Sequence, residues 1–107
     1  MKGRRQATSD DVMAHLAKLR SDMSVEERAA YDERVLAVRT VLELVEQRKK
    51  RRLAQRTIAD RMGVSQPVIA RLEKPLESSW RQPSLSVLSR YAAAIGMVLE
   101  VRLRPAA

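Results

Sequence analysis

Apolar positions recur at helical spacing along most of the chain. Val12, Leu16, Leu19 and Met23 follow steps of four, three and four, which is one face of a helix of about three turns, with Ser9 or Asp10 as its expected cap. Ser24 and Glu27 then spell a capping box, so a second and longer helix starts there. Tyr31, Val35, Val38, Leu42 and Val45 keep a four-three rhythm, and Ala37, Val41 and Leu44 form a second apolar stripe beside it. A stripe that wide exceeds what one neighbouring helix covers, which predicts a core on one side and a partner on the other. The helix closes in the cationic run Arg48 to Arg52, favourable at a helix C-terminus.

Two short helices are predicted next, Leu53 to Met62 and Ser65 to Lys74, joined by Gly63-Val64. Pro75 stops the second, and a loop containing Trp80 follows. Pro83 and Ser84 open a further helix, Leu85 to Ala94, which Gly96 ends. The pattern then changes. Met97, Leu99, Val101 and Leu103 alternate with Val98, Glu100, Arg102 and Arg104, and period two predicts a strand. No second strand is visible to pair with it, so the partner is expected to be another chain, and dimerisation through those four apolar positions is the expectation. The fold class predicted is mainly α, a five-helix bundle with a central helix-turn-helix plus one C-terminal strand that pairs between chains.

The segment L-A-Q-R-T-I-A-D-R-M-G-V-S-Q-P-V-I-A-R-L-E, Leu53 to Glu73, assigns each position a physical task. Ile58 and Met62 lie four apart on an inner face, and Ala59 is small where two helices cross. Gly63 suits a sharp turn with positive φ. Val64 plugs that turn into the core, and Ser65 caps the next helix. Ile69 and Leu72 bury the inner face of that helix. Gln66, Pro67, Val68, Ala70 and Arg71 then point outwards or sideways, and Pro67 is tolerated because it falls in the first turn.

The chain has 107 residues, about one domain, and its charge is unevenly spread. Residues 8–46 hold nine acidic and five basic residues, net −4; residues 47–107 hold thirteen basic and four acidic, net +9; residues 1–7 add +3, for a total of +8. The basic half suits a polyanion and the acidic half a cationic partner. Cysteine is absent and His15 is the one histidine, so disulfides, thiolate metal sites and multi-histidine metal sites are excluded within one chain, and no cofactor is expected. No nucleophile–base pair or Gly-rich phosphate loop is present, so an enzyme is not expected. The basic start M-K-G-R-R-Q precedes no apolar segment, and no apolar run approaches the ~20 residues of a membrane span, so a cytoplasmic protein without membrane contact is expected.

Leu53 to Glu73 resembles the helix-turn-helix of the Cro/repressor (XRE) family, and the fold implied is lambda-repressor-like. The resemblance implies double-stranded operator DNA as a partner, with Gln66, Pro67, Val68 and Arg71 at base edges. It implies phosphate contacts from Gln55, to which the surrounding Arg56, Thr57, Ser65, Lys49, Lys50, Arg51 and Lys74 are added on charge and position. Gln66 suits adenine, Arg71 suits guanine, and Pro67 and Val68 offer apolar contacts. The sequence departs from the family at three places. Ala54 stands where Thr is usual, and Arg52 and Pro75 stand where Gly is usual. S-V-E-E-R-A-A-Y-D-E-R upstream and P-S-L-S-V-L-S-R-Y-A-A-A-I-G-M-V-L-E-V-R-L downstream are similar to antitoxins of the HigA type. That similarity implies a RelE- or HigB-like ribonuclease toxin as partner and repression of the chain's own operon as a homodimer. The organisation expected is a disordered basic tail over 1–8, a helical toxin-binding extension over 9–34, and a DNA-binding domain over 35–107. Val12, Leu16, Leu19, Met23, Tyr31 and Val35 form the expected toxin-binding face. A standalone phage-type repressor is the alternative, and the extension of roughly 45 residues separates the two. Neither reading needs a small-molecule ligand.

Overall fold

A computed structural model describes Gln6 and residues 8–106. It is mainly helical, with α1 (Ser9–Ser21), α2 (Val25–Lys50), α3 (Gln55–Met62), α4 (Gln66–Leu72) and α5 (Leu85–Ala94). The chain divides into two compact units, Met1–Glu33 and Arg34–Ala107. The tail predicted over 1–8 lies outside the described residues apart from Gln6 and Thr8.

In the first unit α1 is capped one residue earlier than predicted. The Thr8 side chain accepts from the Asp11 N–H, and the Asp11 carboxylate accepts from the Thr8 N–H, a reciprocal capping box. Thr with an acid three residues on satisfies two helix-start donors, which neither Ser9 nor Asp10 does here. The Ser24–Glu27 box forms as predicted, with both bonds at 3.1 Å. The Ser24 N–H holds the Glu27 carboxyl below its ordinary range. Arg20 grips Asp32 through both carboxylate oxygens, the Nε bond measuring 2.9 Å. α1 buries no residue, and Val12, Leu16 and Leu19 are all exposed.

The second unit holds the core. Ala37, Val41 and Leu44 of α2 pack with Ile58, Ala59, Ile69, Trp80, Leu88, Tyr91, Ala92 and Ile95. The buried face of α2 is therefore the stripe Ala37–Val41–Leu44. Of the stripe that set the stronger rhythm, Val35, Val38 and Val45 are half-buried and Tyr31 and Leu42 are exposed. Periodicity located two adjacent apolar rows but carries no information about which row meets the other helices. α3 packs on α4 and α5.

Three helices end alike. After α2 the Arg52 N–H reaches the Lys49 carbonyl and the Leu53 N–H reaches that of Arg48. After α3 Gly63 and Val64 repeat this onto Asp60 and Ala59, and after α5 Gly96 and Met97 repeat it onto Ala93 and Ala92. This pairing of 5→2 and 6→1 bonds needs a left-handed residue, and places an apolar residue behind it. Gly63 (φ 69°) and Gly96 (φ 78°) supply the first need, and Leu53, Val64 and Met97 pack against the core as the second. Arg52 takes the same conformation at φ 55°, the one non-glycine residue to do so among those described. Glycine is the residue this backbone favours, and Arg52 carries the cost of a Cβ there.

Among the described residues there is no strand. Residues 97–106 form no ladder, and no backbone–backbone bond lies beyond that from the Met97 N–H to the Ala92 carbonyl. The strand predicted over Met97, Leu99, Val101 and Leu103 is not formed, because a ladder needs a second strand and the described residues offer none.

Candidate nucleic-acid interface

α4 is seven residues long, and its inner face is fixed. Ile69 is fully buried and Leu72 half-buried against the core, while Ile58 and Ala59 are fully buried on α3 beneath it. Gln66, Pro67, Val68 and Arg71 are exposed, so the four residues predicted to read bases share the outer side of one short helix. Pro67 sits in the first turn, where it removes no needed N–H. Ser65 precedes the helix in extended conformation, but its side chain makes no capping bond, nor does that of Ala54 before α3.

The cations predicted at phosphates divide into two groups. Lys49 and Arg56 are exposed, with no ion pair among the described residues, and the Arg71 guanidinium is in the same condition. Lys50 lies 3.1 Å from Glu46, Lys74 lies 3.9 Å from Glu77, and Arg51 donates to Gln47. Exposed pairs of this kind are worth about 0–1 kcal/mol and are easily exchanged for another anion. Thr57 is half-buried and Ser65 is exposed.

Gln55 is half-buried and is drawn into a network that the sequence reading did not identify. Arg48, grouped with the cationic run, is a buried residue. Its guanidinium donates twice to Glu73, at 2.7 and 2.8 Å, and once to the Leu53 carbonyl at 2.7 Å. Glu73 also accepts from the Tyr91 hydroxyl at 2.5 Å and from the Gln55 amide at 2.9 Å. Burial pushes the Glu73 carboxyl up, but the bonds from Arg48, Tyr91 and Gln55 together outweigh it and hold the group below the ordinary carboxylate range. Burial, and then donation to Glu73, pushes the Tyr91 phenol well up. The bonds to Glu73 raise Arg48 further. The signal in the sequence was an acid, Glu73, following the inner-face residues Ile69 and Leu72 at the end of the motif.

This charge sets the direction of a chain of hydrogen bonds. An ionised carboxylate only accepts, so Gln55 presents its NH2 to Glu73 and its carbonyl faces the other way. Gln66 then donates to that carbonyl at 2.7 Å. Gln66 keeps one N–H and its own carbonyl uncommitted, an acceptor beside a donor.

Trp80 secures the loop after α4. It is buried, its indole N–H donates to the Leu72 carbonyl at 2.9 Å, and the Arg34 guanidinium stacks 4.6 Å from its ring centre. Arg61 donates to the Ala94 carbonyl at the end of α5. The described residues contain no group of metal-ligating side chains and no helix long and apolar enough to cross a membrane. Of the six residues predicted to meet a toxin, Val12, Leu16, Leu19 and Tyr31 are exposed, and Met23 and Val35 are half-buried. Of the four predicted to dimerise, Met97 and Leu99 are half-buried, and Val101 and Leu103 are exposed. No protein-family model, curated protein or solved structure matches the chain.

Proposed function

We propose that this chain is a sequence-specific DNA-binding autorepressor and the antitoxin of a toxin–antitoxin pair. The observation that carries the DNA half is the outer side of α4. Gln66, Pro67, Val68 and Arg71 are exposed together on a helix whose inner face is locked, and Arg71 carries an uncommitted guanidinium. Lining a major groove, Gln66 offers the acceptor–donor pair that adenine requires, and Arg71 offers the fork that guanine requires. Its hydrogen bond to the Gln55 carbonyl holds the Gln66 amide in place before any base arrives, which removes part of the ordering cost of binding. Lys49 and Arg56 supply attraction to phosphates without base preference.

The antitoxin half rests on α1. A capped helix that exposes Val12, Leu16 and Leu19 on one face, within the acidic half of the sequence, suits docking onto a cationic partner such as a RelE-like ribonuclease. Operator binding as a dimer would set two α4 helices about 34–36 Å apart, in successive major grooves.

The test is selection of bound duplexes from a random library, followed by titration of the selected site with salt. One enriched half-site motif and a steep salt dependence are expected. Arg71→Ala is expected to cost about 1–3 kcal/mol on that site and relax one base position. Unchanged preference at every position overturns the role of α4. Co-purification with the product of the neighbouring gene tests the antitoxin half separately.

A further inference from the structure

The segment beyond α5 holds a pattern that the single chain leaves unused. Met97 and Leu99 are half-buried against the core while Val98 and Glu100 are exposed, so the two-residue alternation is realised in space. Arg102 lies 3.6 Å from Glu100, so these two share a side. The apolar series then outruns its cover, with Val101 56% and Leu103 fully exposed. Beside it is a groove of about 450 Å³ whose lining includes Leu36, Thr40, Glu43, Leu99 and Arg102.

The five residues Leu99-Glu100-Val101-Arg102-Leu103 read symmetrically about Val101 in hydrophobicity and antisymmetrically in charge. We infer that a second copy of this chain occupies this edge, its 99–103 segment running antiparallel with the two-fold axis through Val101. This rests on the dimeric reading above and deepens it by fixing the register. In that register Val101 faces Val101 of the other copy, Leu99 faces Leu103, and Glu100 faces Arg102, the last two pairs each occurring twice. Leu103 then lies beside Leu99 at the groove and loses its exposure.

Every neighbouring register is worse. A centre on Glu100 opposes two carboxylates, and a centre on Arg102 opposes two guanidinium groups. A centre between residues sets Glu100 against Val101 and Leu99 against Arg102, mixing charged and apolar positions. Parallel pairing in register opposes each charge with itself. Opposite charges directly across a ladder stabilise it and like charges destabilise it. A slip of one residue also turns the apolar face outward. An unrelated partner strand does not require this symmetry; a copy of the same segment does.

The chain has no cysteine, so single cysteines can be placed without background. Oxidised Val101→Cys is expected to cross-link to itself in full-length protein. Leu99→Cys alone is not, but a mixture of Leu99→Cys and Leu103→Cys is. Glu100→Arg turns both charge pairs repulsive and should raise the dimer dissociation constant roughly tenfold, and Arg102→Glu should do the same. The double variant Glu100→Arg/Arg102→Glu should return it to within about threefold of the parent, because the pairs are restored in reverse. That recovery separates pairing from misfolding. A monomer at high concentration overturns the inference. So does strongest cross-linking at a residue other than 101, or a double variant no better than the singles. None of these measurements contains DNA. Failure here with an intact Arg71 effect on base choice condemns the register alone, and the reverse outcome condemns the reading of α4 alone.

Discussion

Two leucine-spaced rows on two helices of this chain meet opposite fates. On α2, Ala37, Val41 and Leu44 are buried; on α1, Val12, Leu16 and Leu19 are exposed. Both rows have helical period and both helices begin with a reciprocal capping box. The difference lies in what each row meets. α2 is followed by three elements whose own apolar faces close over its second half, whereas α1 buries no residue. Amphipathic spacing therefore marks a surface that can be buried, and burial is decided by the rest of the fold. In the second unit the inward face is further fixed by Arg48 and Glu73, whose side chains are only 10% and 5% exposed.

The largest effects should fall on that buried corner. Glu73→Ala leaves the Arg48 charge buried without its partner, and removes the acceptor of Tyr91 and Gln55 as well. A loss of about 3–5 kcal/mol is expected from chemical denaturation. A loss under 1 kcal/mol would mean that the pair is open to solvent. The same group gives a pH dependence of known sign. The folded state holds the Glu73 carboxyl below its ordinary value of 4.5, so the unfolded chain takes up this proton first as pH falls. The stabilisation is fully present above about pH 5 and is lost as pH drops through 4.5 towards the lower folded value. In Glu73→Gln the acid-side fall in melting temperature should be shallower. An identical slope would assign the fall to other carboxylates.

A middle-sized effect tests the turns. Arg52 and Gly63 occupy equivalent positions after α2 and α3, at φ 55° and 69°. A Cβ built on Gly63 meets nothing within 4 Å, so Gly63→Ala should lose about 1 kcal/mol through backbone strain alone. Arg52→Gly should move the other way, gaining somewhat less than about 1 kcal/mol because glycine also frees the unfolded chain. Matched thermal melts of the two variants should displace in opposite directions. Displacement in the same direction would refute the equivalence.

Local signals in the sequence were sufficient for the existence of the five helices. Pro83, Ser84 and Gly96 bracket α5, and Gly63 separates α3 from α4, because caps and turns depend on residues a few positions apart. Ile58, Ala59 and Ile69 were legible as inner positions for the same reason. What local pattern could not reveal is pairing over distance. Arg48 and Glu73 are 25 residues apart, and Arg48 stood inside a run of five cations in which nothing marks one as buried. The strand expected over Met97 to Leu103 is not formed, because alternation describes a face and not the neighbour that a ladder requires. Of the candidate site, exposure on α4 followed from helical geometry, whereas the Glu73–Gln55–Gln66 chain needs three elements brought together.

The smallest stability effect is the sharpest test of the contrast between α1 and α2. Leu16→Gln and Leu19→Gln keep helix propensity almost unchanged, since leucine and glutamine rank together. They alter side chains 42% and 46% exposed. Each should shift stability by no more than about 0.5 kcal/mol, as surface substitutions do, while Val41→Ala on the buried row should cost at least twice that through lost burial and the cavity left behind. If the α1 row exists to meet a partner, the glutamine variants keep the fold and the operator site and lose co-purification with the neighbouring gene product. A stability loss on α1 as large as that on α2 would show that α1 is covered within the chain. An undiminished partner complex would show that its apolar face is idle.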